Sequence, residues 1–320
     1  MNNNQNNNID ELLKTHGKRT QINELIVKRA KRNVYAHWQK SLLKKQKQRQ
    51  HKLKYVFAMA AVLVLMVTFA LFYRLNTSVA PFSHSLYSQG ELLVSNDGEN
   101  WSVNTENVLQ QNTWIKTTNN SFANITLADK SQLRINQNSQ LHLLNSTEIV
   151  LLKGEIYHDA DMIHHSIPLL IKTHLGDIQH IGTRYLINLT NKELNVAVRN
   201  GLVKINQNNN LQQITAGKQL TVDLSGNQST TVISAYDRKW HWTQSAAKPF
   251  EFEGHSLNEF ILWYAHENGY TITWNQNETQ TKRVKLSANL QNLEQNQQIK
   301  TVFLATKFDY EINKGILSIL

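Results

Sequence analysis

The clearest structural signal in the chain is the segment Asn195-Val196-Ala197-Val198-Arg199-Asn200-Gly201-Leu202-Val203-Lys204-Ile205. On each side of Asn200-Gly201, apolar residues alternate with other residues, which is the period of a β-strand with one buried face. The dipeptide Asn-Gly favours the tight turn of a two-residue hairpin. The segment therefore predicts two antiparallel strands joined at Asn200-Gly201.

The same pattern extends over residues 86–225. Short runs rich in Val, Ile, Leu and Thr recur every eight to twelve residues, with Asn, Asp or Gly between them. This spacing predicts an all-β domain, either sandwich-like or a short solenoid. The clearest predicted strands are 122–127, 132–135, 140–144, 148–152, 169–172, 184–189, 194–199, 202–205 and 219–224.

On the N-terminal side of this region, residues 55–73 contain no charged side chain. As a helix they would be roughly 28 Å long, close to the thickness of a bilayer's hydrocarbon core. Basic residues, Lys54 and Arg74, flank the segment directly. The sequence therefore predicts a transmembrane helix at 55–73, followed by a polar linker at 74–85.

The positive charge of the chain is concentrated at one end. Residues 1–54 hold 14 Lys or Arg against three Asp or Glu, whereas the 320-residue chain as a whole has a net charge of +10. Basic residues collect on the cytoplasmic side of membrane spans. We therefore expect a single-pass protein of a bacterial inner membrane, with a cytoplasmic N-terminus and residues 75–320 in the periplasm.

Residues 1–54 form the predicted cytoplasmic segment. The Asn-rich residues 1–8 are expected to be disordered, and apolar residues then recur at helical spacing. A short basic helical segment has little core of its own, so its apolar side chains predict a partner-binding face. An alternative is a basic helix lying on anionic lipid. No direct contact with nucleic acid is expected. The predicted partner-binding residues are Ile22, Leu25, Ile26, Val34, Trp38 and Leu42.

The C-terminal part follows a connector at 226–249. Ser256 and Glu259 have the spacing of a capping box, and Gly269 ends the predicted helix. Strands are predicted at 250–252, 270–274, 284–286, 308–312 and 316–320, with a second helix at 293–305. Residues 250–320 are therefore expected to form a small α/β domain with an internal strand–helix–strand duplication.

The sequence lacks several common motifs of catalysis and nucleotide binding. It contains no cysteine, no G-x-S-x-G, no P-loop and no G-x-G-x-x-G. The His-rich segment 158–165 is interpreted as a solvated loop, and His174 and His180 as residues of a polar strand face. Glu251 and Glu253 are interpreted as solvated. We expect no enzymatic activity, no cofactor, and no catalytic or metal-binding residues.

Four ordered blocks of the β region resemble the signature of FecR-like regulators, a family of transmembrane sensors first recognised in ferric-citrate uptake. They are 151–157, 171–178 together with 181–187, 196–203 and 216–219. The resemblance implies that the signature residues are structural, and glycines suit strand bends and turns. Residues 250–320 resemble the secretin and TonB short N-terminal type domain, and the short basic N-terminus resembles a variant branch of the family. The signature residues are Gly154, Glu155, Gly182, Thr183, Arg184, Gly201 and Gly217.

The resemblance implies an anti-sigma factor in cell-surface signalling. Its expected partners are an extracytoplasmic-function sigma factor at the cytoplasmic segment, the signalling domain of a TonB-dependent outer-membrane receptor at the periplasmic part, and the lipid bilayer. The alternative is an envelope module that binds periplasmic protein or glycan and has no sigma factor partner. The expected fold class is a multi-domain membrane protein with a helical segment, one transmembrane helix, an all-β FecR-like domain and a small α/β domain.

Overall fold

A computed structural model gives the fold and describes residues 24–76, 81–160, 168–275 and 278–320. The chain divides into two compact units, Met1–Ser78 and Val79–Leu320. Helix α1 (Glu24–Asn76) belongs to the first unit. Every described strand belongs to the second.

The predicted transmembrane segment 55–73 lies within α1. In the part of the chain that the structure describes, no helix is long and apolar enough to cross a bilayer. The predicted fold class, a membrane protein with a transmembrane helix, is therefore wrong, and the described chain is mostly β.

Fourteen strands of the second unit form one continuous, mainly antiparallel sheet that folds into two layers. Layer A has the order β14-β13-β11-β10-β8-β6-β5-β1, and layer B has the order β12-β11-β10-β9-β8-β7-β4-β2-β3. The strands are β1 (Ser83–Gln89), β2 (Leu92–Ser95), β3 (Ser102–Val103), β4 (Thr113–Thr117), β5 (Phe122–Leu127), β6 (Gln132–Ile135), β7 (Gln140–Asn145), β8 (Glu148–Asp159), β9 (Leu170–Thr173), β10 (Gly176–Leu189), β11 (Glu193–Gln207), β12 (Asn210–Thr215), β13 (Lys218–Asp223) and β14 (Gln228–Val232).

Three long strands, β8, β10 and β11, take part in both layers. For example, β11 pairs with β13 over residues 193–198 and with β12 over residues 202–207. The partners of β8 and β10 change in the same way near their middles. A glycine with positive φ lies at each change: Gly154 in β8, Gly182 in β10 and Gly201 in β11.

The hairpin predicted at Asn200-Gly201 is therefore wrong, because β11 continues through both residues. Gly201 has a φ of 81°, a conformation that Asn-Gly supplies in tight turns and that here bends one strand. A side-chain Cβ at Gly201 would lie 2.6 Å from the carbonyl oxygen of Gly182. The glycine is needed because two bent strands approach each other closely at this point.

The core lies between the two layers. Ile187 and Val196 contribute to it from layer A, and Ile171 and Ile205 contribute from layer B; each is at most 1% exposed. Alternation along the strands produces this burial, as in β4, where buried and half-buried residues alternate. The opposite face of layer A is also covered, because Tyr157, Leu186 and Ala197 pack with Trp240.

Residues after β14 form a short 3-10 helix (Arg238–Trp240) and a second, smaller sheet with its helices. The sheet has the order β15-β17-β16, with β15 parallel and β16 antiparallel to β17. A separate hydrophobic core lies beneath it. The elements are α2 (Trp242–Ser245), α3 (Leu257–Asn268), β15 (Thr271–Trp274), α4 (Glu278–Arg283), α5 (Gln295–Thr306), β16 (Tyr310–Asn313) and β17 (Ile316–Ile319).

Helix α3 begins and ends as the sequence predicts. The Ser256 hydroxyl accepts a hydrogen bond from the Glu259 N–H, the Glu259 carboxylate accepts one from the Ser256 N–H, and Gly269 ends the helix with a φ of 70°. The strands predicted at 250–252 and 284–286 are wrong, since only a single bridge between Ser256 and Lys285 forms there. Phe250 and Phe252 nevertheless pack into the smaller core.

Candidate functional site

The outer face of layer A carries a row of charged side chains on neighbouring strands. Arg134 lies on β6, Asp159 on β8, Arg184 on β10 and Arg199 on β11. Register brings them together, since Arg184 is paired with Asp159 in the β8–β10 ladder. Each belongs to the outward set of its strand, because the inward positions are filled by the apolar core. We call these four residues the charged row.

The charged row meets the C-terminal end of α3. Arg134 donates two hydrogen bonds to the Glu267 carboxylate, at 2.5 and 2.7 Å, and each of these side chains is 5% exposed. Arg184 donates to the carbonyl oxygen of His266 at 3.0 Å, and Arg199 donates to that of Glu267 at 3.1 Å. The last carbonyls of a helix lack partners inside it and carry partial negative charge. The arginines therefore satisfy the end of α3 and fix it to layer A.

A histidine–aspartate pair completes the contact. The Nε2 atom of His266 lies 2.6 Å from Oδ2 of Asp159. Burial opposes ionisation of Asp159, but the hydrogen bond and charge of His266, with Arg134 and Arg184, hold the pKa of that carboxyl below its usual range. Asp159 is therefore an anion that balances the arginines beside it.

Two histidines lie inside the β domain, and this corrects their predicted environment. His158 and His180 are each 1% exposed, and their rings are 4.5 Å apart. Nε2 of His158 is 3.1 Å from the Ser131 hydroxyl, and Nε2 of His180 accepts from the Leu169 N–H. Burial, with His180 beside it, lowers the pKa of His158 well below its usual value. The predictions of a solvated loop at His158 and a polar face at His180 are wrong, because the alternation of β8 and β10 directs both rings inward.

The rest of the His-rich segment, residues 161–165, lies outside the described residues. Across 24–76, 81–160, 168–275 and 278–320, no group of three or more His, Asp or Glu side chains could hold a metal ion. Glu251 and Glu253 are exposed.

The predicted signature residues lie at the strand bends, beside them, and in the turn between β12 and β13. A Cβ at Gly154 would lie 2.3 Å from the Ser139 hydroxyl oxygen, so β8 and the residue before β7 approach closely there. Glu155 accepts a hydrogen bond from Asn136, and the buried Thr183 donates to the Leu202 carbonyl. Gly217, with a φ of 81°, lies in the turn between β12 and β13. Of the signature set, Arg184 also belongs to the charged row.

The predicted partner-binding residues lie on α1, with the exception of Ile22, which is outside the described residues. Leu25, Ile26, Val34, Trp38 and Leu42 are all exposed. At about 100° per residue, Ile26 and Trp38 point about 120° apart. Only Val34, Trp38 and Leu42 follow one side of α1, at spacings of four residues. We call these three residues the helix patch.

Sequence reasoning missed Arg134, Asp159, Arg199, His266 and Glu267. A signal was present for two of them, because each follows strand alternation as an outward residue beside an apolar outward neighbour. Arg199 follows Ala197, and Asp159 follows Tyr157. A charged residue on a face that is otherwise apolar indicates a buried ionic contact. No such signal existed for His266 and Glu267 on α3.

Comparison with known protein families identifies a domain within the β region. Residues 113–204 match a family model described as FecR protein. The chain contains a FecR domain. The matched region begins with the first residue of β4 and ends within β11, so it includes Gly154, Gly182 and Gly201. The recognition made from the sequence is confirmed for this domain.

Two crystal structures of a candidate anti-sigma factor from Parabacteroides distasonis, at 2.50 and 1.65 Å resolution, are similar to this chain. Each is 14% identical with a TM-score of 0.36. They cover 64% and 65% of this chain, and 97% and 98% of their own chains. No curated protein matches the sequence.

Proposed function

We propose that this protein is a FecR-type regulator rather than an enzyme. It would hold an extracytoplasmic-function sigma factor through α1 and receive a signal from a TonB-dependent receptor through the unit that contains the FecR domain. The observation that carries the proposal is the match of residues 113–204 to the FecR family model. The predicted localisation, with residues 75–320 in the periplasm, stays a prediction.

The helix patch supports the sigma factor partner. Val34, Trp38 and Leu42 are large apolar side chains that a partner could bury, and exposed aromatic residues often anchor protein interfaces. Fourteen basic residues lie within residues 1–54. A partner with an apolar groove and an acidic rim would complement this segment.

The contact at α3 supports a receptor that engages one rigid body. Arg134, Arg184 and Arg199 tie the smaller sheet and its helices to the FecR domain through buried hydrogen bonds. A receptor domain bound at either part would therefore act on both parts at once.

The test is affinity capture of the tagged full-length chain from its native cells, with bound proteins identified by mass spectrometry. Trp38→Asp places a charge in the helix patch. Ala36→Asp places the same charge about 160° away on the same turn and is the matched control. We expect wild type and Ala36→Asp to capture a sigma factor, and Trp38→Asp to capture much less. Capture by Trp38→Asp at the wild-type level, or no sigma factor with wild type, would overturn the assignment of this partner.

A further inference from the structure

A cavity of about 740 Å³ lies between the outer face of layer A and the residues that precede and form α3. Strands β1, β5 and β6 form its floor. Its roof comes from the segment 248–255 and from Trp263 and Glu267 of α3. The volume is typical of sites that enclose small ligands.

The floor is a polar sheet face with two rows of side chains. Register aligns Ser85, Thr126 and Gln132 across β1, β5 and β6, and it aligns Tyr87, Asn124 and Arg134 in the next row. The first row is already linked, since the Ser85 hydroxyl donates to Thr126 Oγ1 at 3.0 Å and the Gln132 amide donates to the same oxygen at 3.3 Å. Hydroxyl and amide groups of this kind both donate and accept hydrogen bonds.

The second row contains hydrogen-bonding atoms that are not satisfied. Asn124 and Arg134 are each 4% exposed. Among the described residues, Asn124 Oδ1, Arg134 Nε and, in the roof, His255 Nδ1 have no hydrogen-bond partner. Buried polar groups are rarely left unpaired in native proteins. The unpaired acceptor of Asn124 and the unpaired donor of Arg134 lie on adjacent strands. They therefore favour a ligand that both donates and accepts hydrogen bonds.

The charges that line the cavity are balanced. Arg134 is paired with Glu267, and Lys248 lies 3.0 Å from Glu251. An anionic or cationic ligand would have to compete with these pairs. The electrostatics consequently favour a neutral, polar ligand.

Aromatic rings complete the lining. Tyr87 lies in the floor, while Phe250 and Trp263 lie in the roof with their ring centroids 5.4 Å apart. A second cavity, of about 910 Å³, shares Tyr87 and Trp263 and is lined by amides that include Gln89, Gln244 and Asn292. Sugar rings present C–H faces to aromatic rings and hydroxyls to amides.

We propose that this cavity binds a neutral saccharide chain, with Trp263 and Tyr87 against sugar faces and Asn124 and Arg134 Nε on hydroxyl groups. The second cavity continues the site, so a chain of several sugars fits better than a monosaccharide. This ligand is independent of the sigma factor and receptor proposed above.

The test is calorimetric titration of the purified full-length chain with chitotriose, cellotriose and maltotriose, each up to about 10 mM. We expect saturable binding to at least one trisaccharide. Binding of chitotriose alone would indicate an N-acetylated glycan of the cell-wall type, whereas binding of the others would indicate an unacetylated glycan. No saturable binding to any of the three would overturn the proposal.

Variants locate the site. Asn124→Leu removes the unpaired acceptor at similar volume, and Trp263→Phe keeps an aromatic core residue while it reduces the ring surface. Each is expected to weaken binding by about ten-fold, the loss of one hydrogen bond or one ring contact. Trp101→Phe, on a half-buried ring outside the cavity, is the control. Wild-type affinity in both cavity variants, with wild-type melting behaviour, would place the sugar elsewhere and overturn the assignment.

Discussion

Arg134 on β6 and Glu267 on α3 are 133 residues apart in the sequence and are joined by two hydrogen bonds, with both side chains 5% exposed. The geometry is bidentate, which is the strongest arrangement available to an arginine and a carboxylate. Arg134 also donates to the carbonyl oxygen of Thr243 at 3.1 Å. One guanidinium group thus links the FecR domain to both α2 and α3.

Removal of one partner from this pair is expected to be costly. Glu267→Leu would leave the Arg134 guanidinium buried without its counter-ion, and such changes typically destabilise by about 3–5 kcal/mol. Urea unfolding of the full chain measures the loss. The double variant Arg134→Met with Glu267→Leu should recover much of the stability, because no unpaired charge remains.

The surface pair of Lys172 and Glu148, whose side chains are 44% and 23% exposed, provides the control. Glu148→Gln should leave the unfolding midpoint unchanged, because exposed ion pairs contribute little. If Glu267→Leu were as mild as Glu148→Gln, the buried pair would not be what fastens α3 to layer A.

Acid is expected to destabilise the protein through His158. Its pKa in the folded chain lies well below 6.5, because the ring is buried. Below about pH 6.5 the unfolded chain binds a proton that the folded chain does not, so stability falls as the pH falls. The slope for one such group reaches about 1.4 kcal/mol per pH unit. Asp159 acts in a lower window, since its depressed pKa means that its contribution is lost only as pH falls below about 4.

Urea unfolding at about pH 7, 6 and 5 measures this dependence. His158→Gln, which can still bond Ser131, should flatten the slope in that range. The exposed His174 gives a matched variant, His174→Gln, which should keep the wild-type slope. A full slope in His158→Gln would show that another group takes up the proton.

The three bend glycines are expected to differ in their tolerance of alanine. A Cβ at Gly154 or Gly201 would approach backbone atoms within 2.6 Å, whereas a Cβ at Gly182 would meet nothing within 4 Å. Gly182→Ala should therefore lower the free energy of unfolding by about 1–2 kcal/mol, the strain of an alanine in the left-handed region of φ. Gly154→Ala and Gly201→Ala should cost clearly more, because the strands would have to move apart.

Thermal melting of the three variants under one set of conditions compares them directly. Gly182→Ala serves as the internal control for backbone strain alone. Equal losses at all three positions would mean that φ, and not close approach, explains these glycines.

Arg199 is expected to control the local opening of α3. It donates to the carbonyl oxygens of Ala235 and Glu267 and lies over the Trp240 ring. Arg199→Met should speed hydrogen exchange at the amides of residues 265–270 and leave the core of the β domain protected. Arg238→Met, at an exposed position of the same region, should change neither. Uniformly faster exchange in Arg199→Met would indicate global destabilisation instead.

Much of the β domain was predictable because alternation reports burial directly. The predicted strands at 122–127 and 132–135 agree with β5 and β6 to the residue. Strands β1 to β4, β12 and β14 were not among the clearest predicted strands. Of these, β3, β12 and β14 have mostly exposed side chains, so their sequences lack an apolar face. The hairpin prediction at Asn200-Gly201 was wrong because a glycine with positive φ can form a strand bend as well as a turn. Only the strands that pair with β11 distinguish the two cases.

The charged row was harder to predict for a different reason. Its residues are fixed by strand register, but their partners are backbone carbonyls and side chains at the end of α3, more than 60 residues away in every case. Local pattern carries no information about such distant contacts. The capping box and Gly269 were predictable because every atom involved lies within a few residues.

The bends at Gly154, Gly182 and Gly201 have a mechanical consequence. Because β8, β10 and β11 each run through both layers, the layers cannot slide or separate without distorting the strands that they share. A force or torque applied at one end of the two-layer sheet is thus transmitted to the other end with little deformation of the sheet. For a protein that passes on a binding event, the FecR domain would move as one stiff body, and the buried hydrogen bonds at the end of α3 would carry that motion to the smaller sheet.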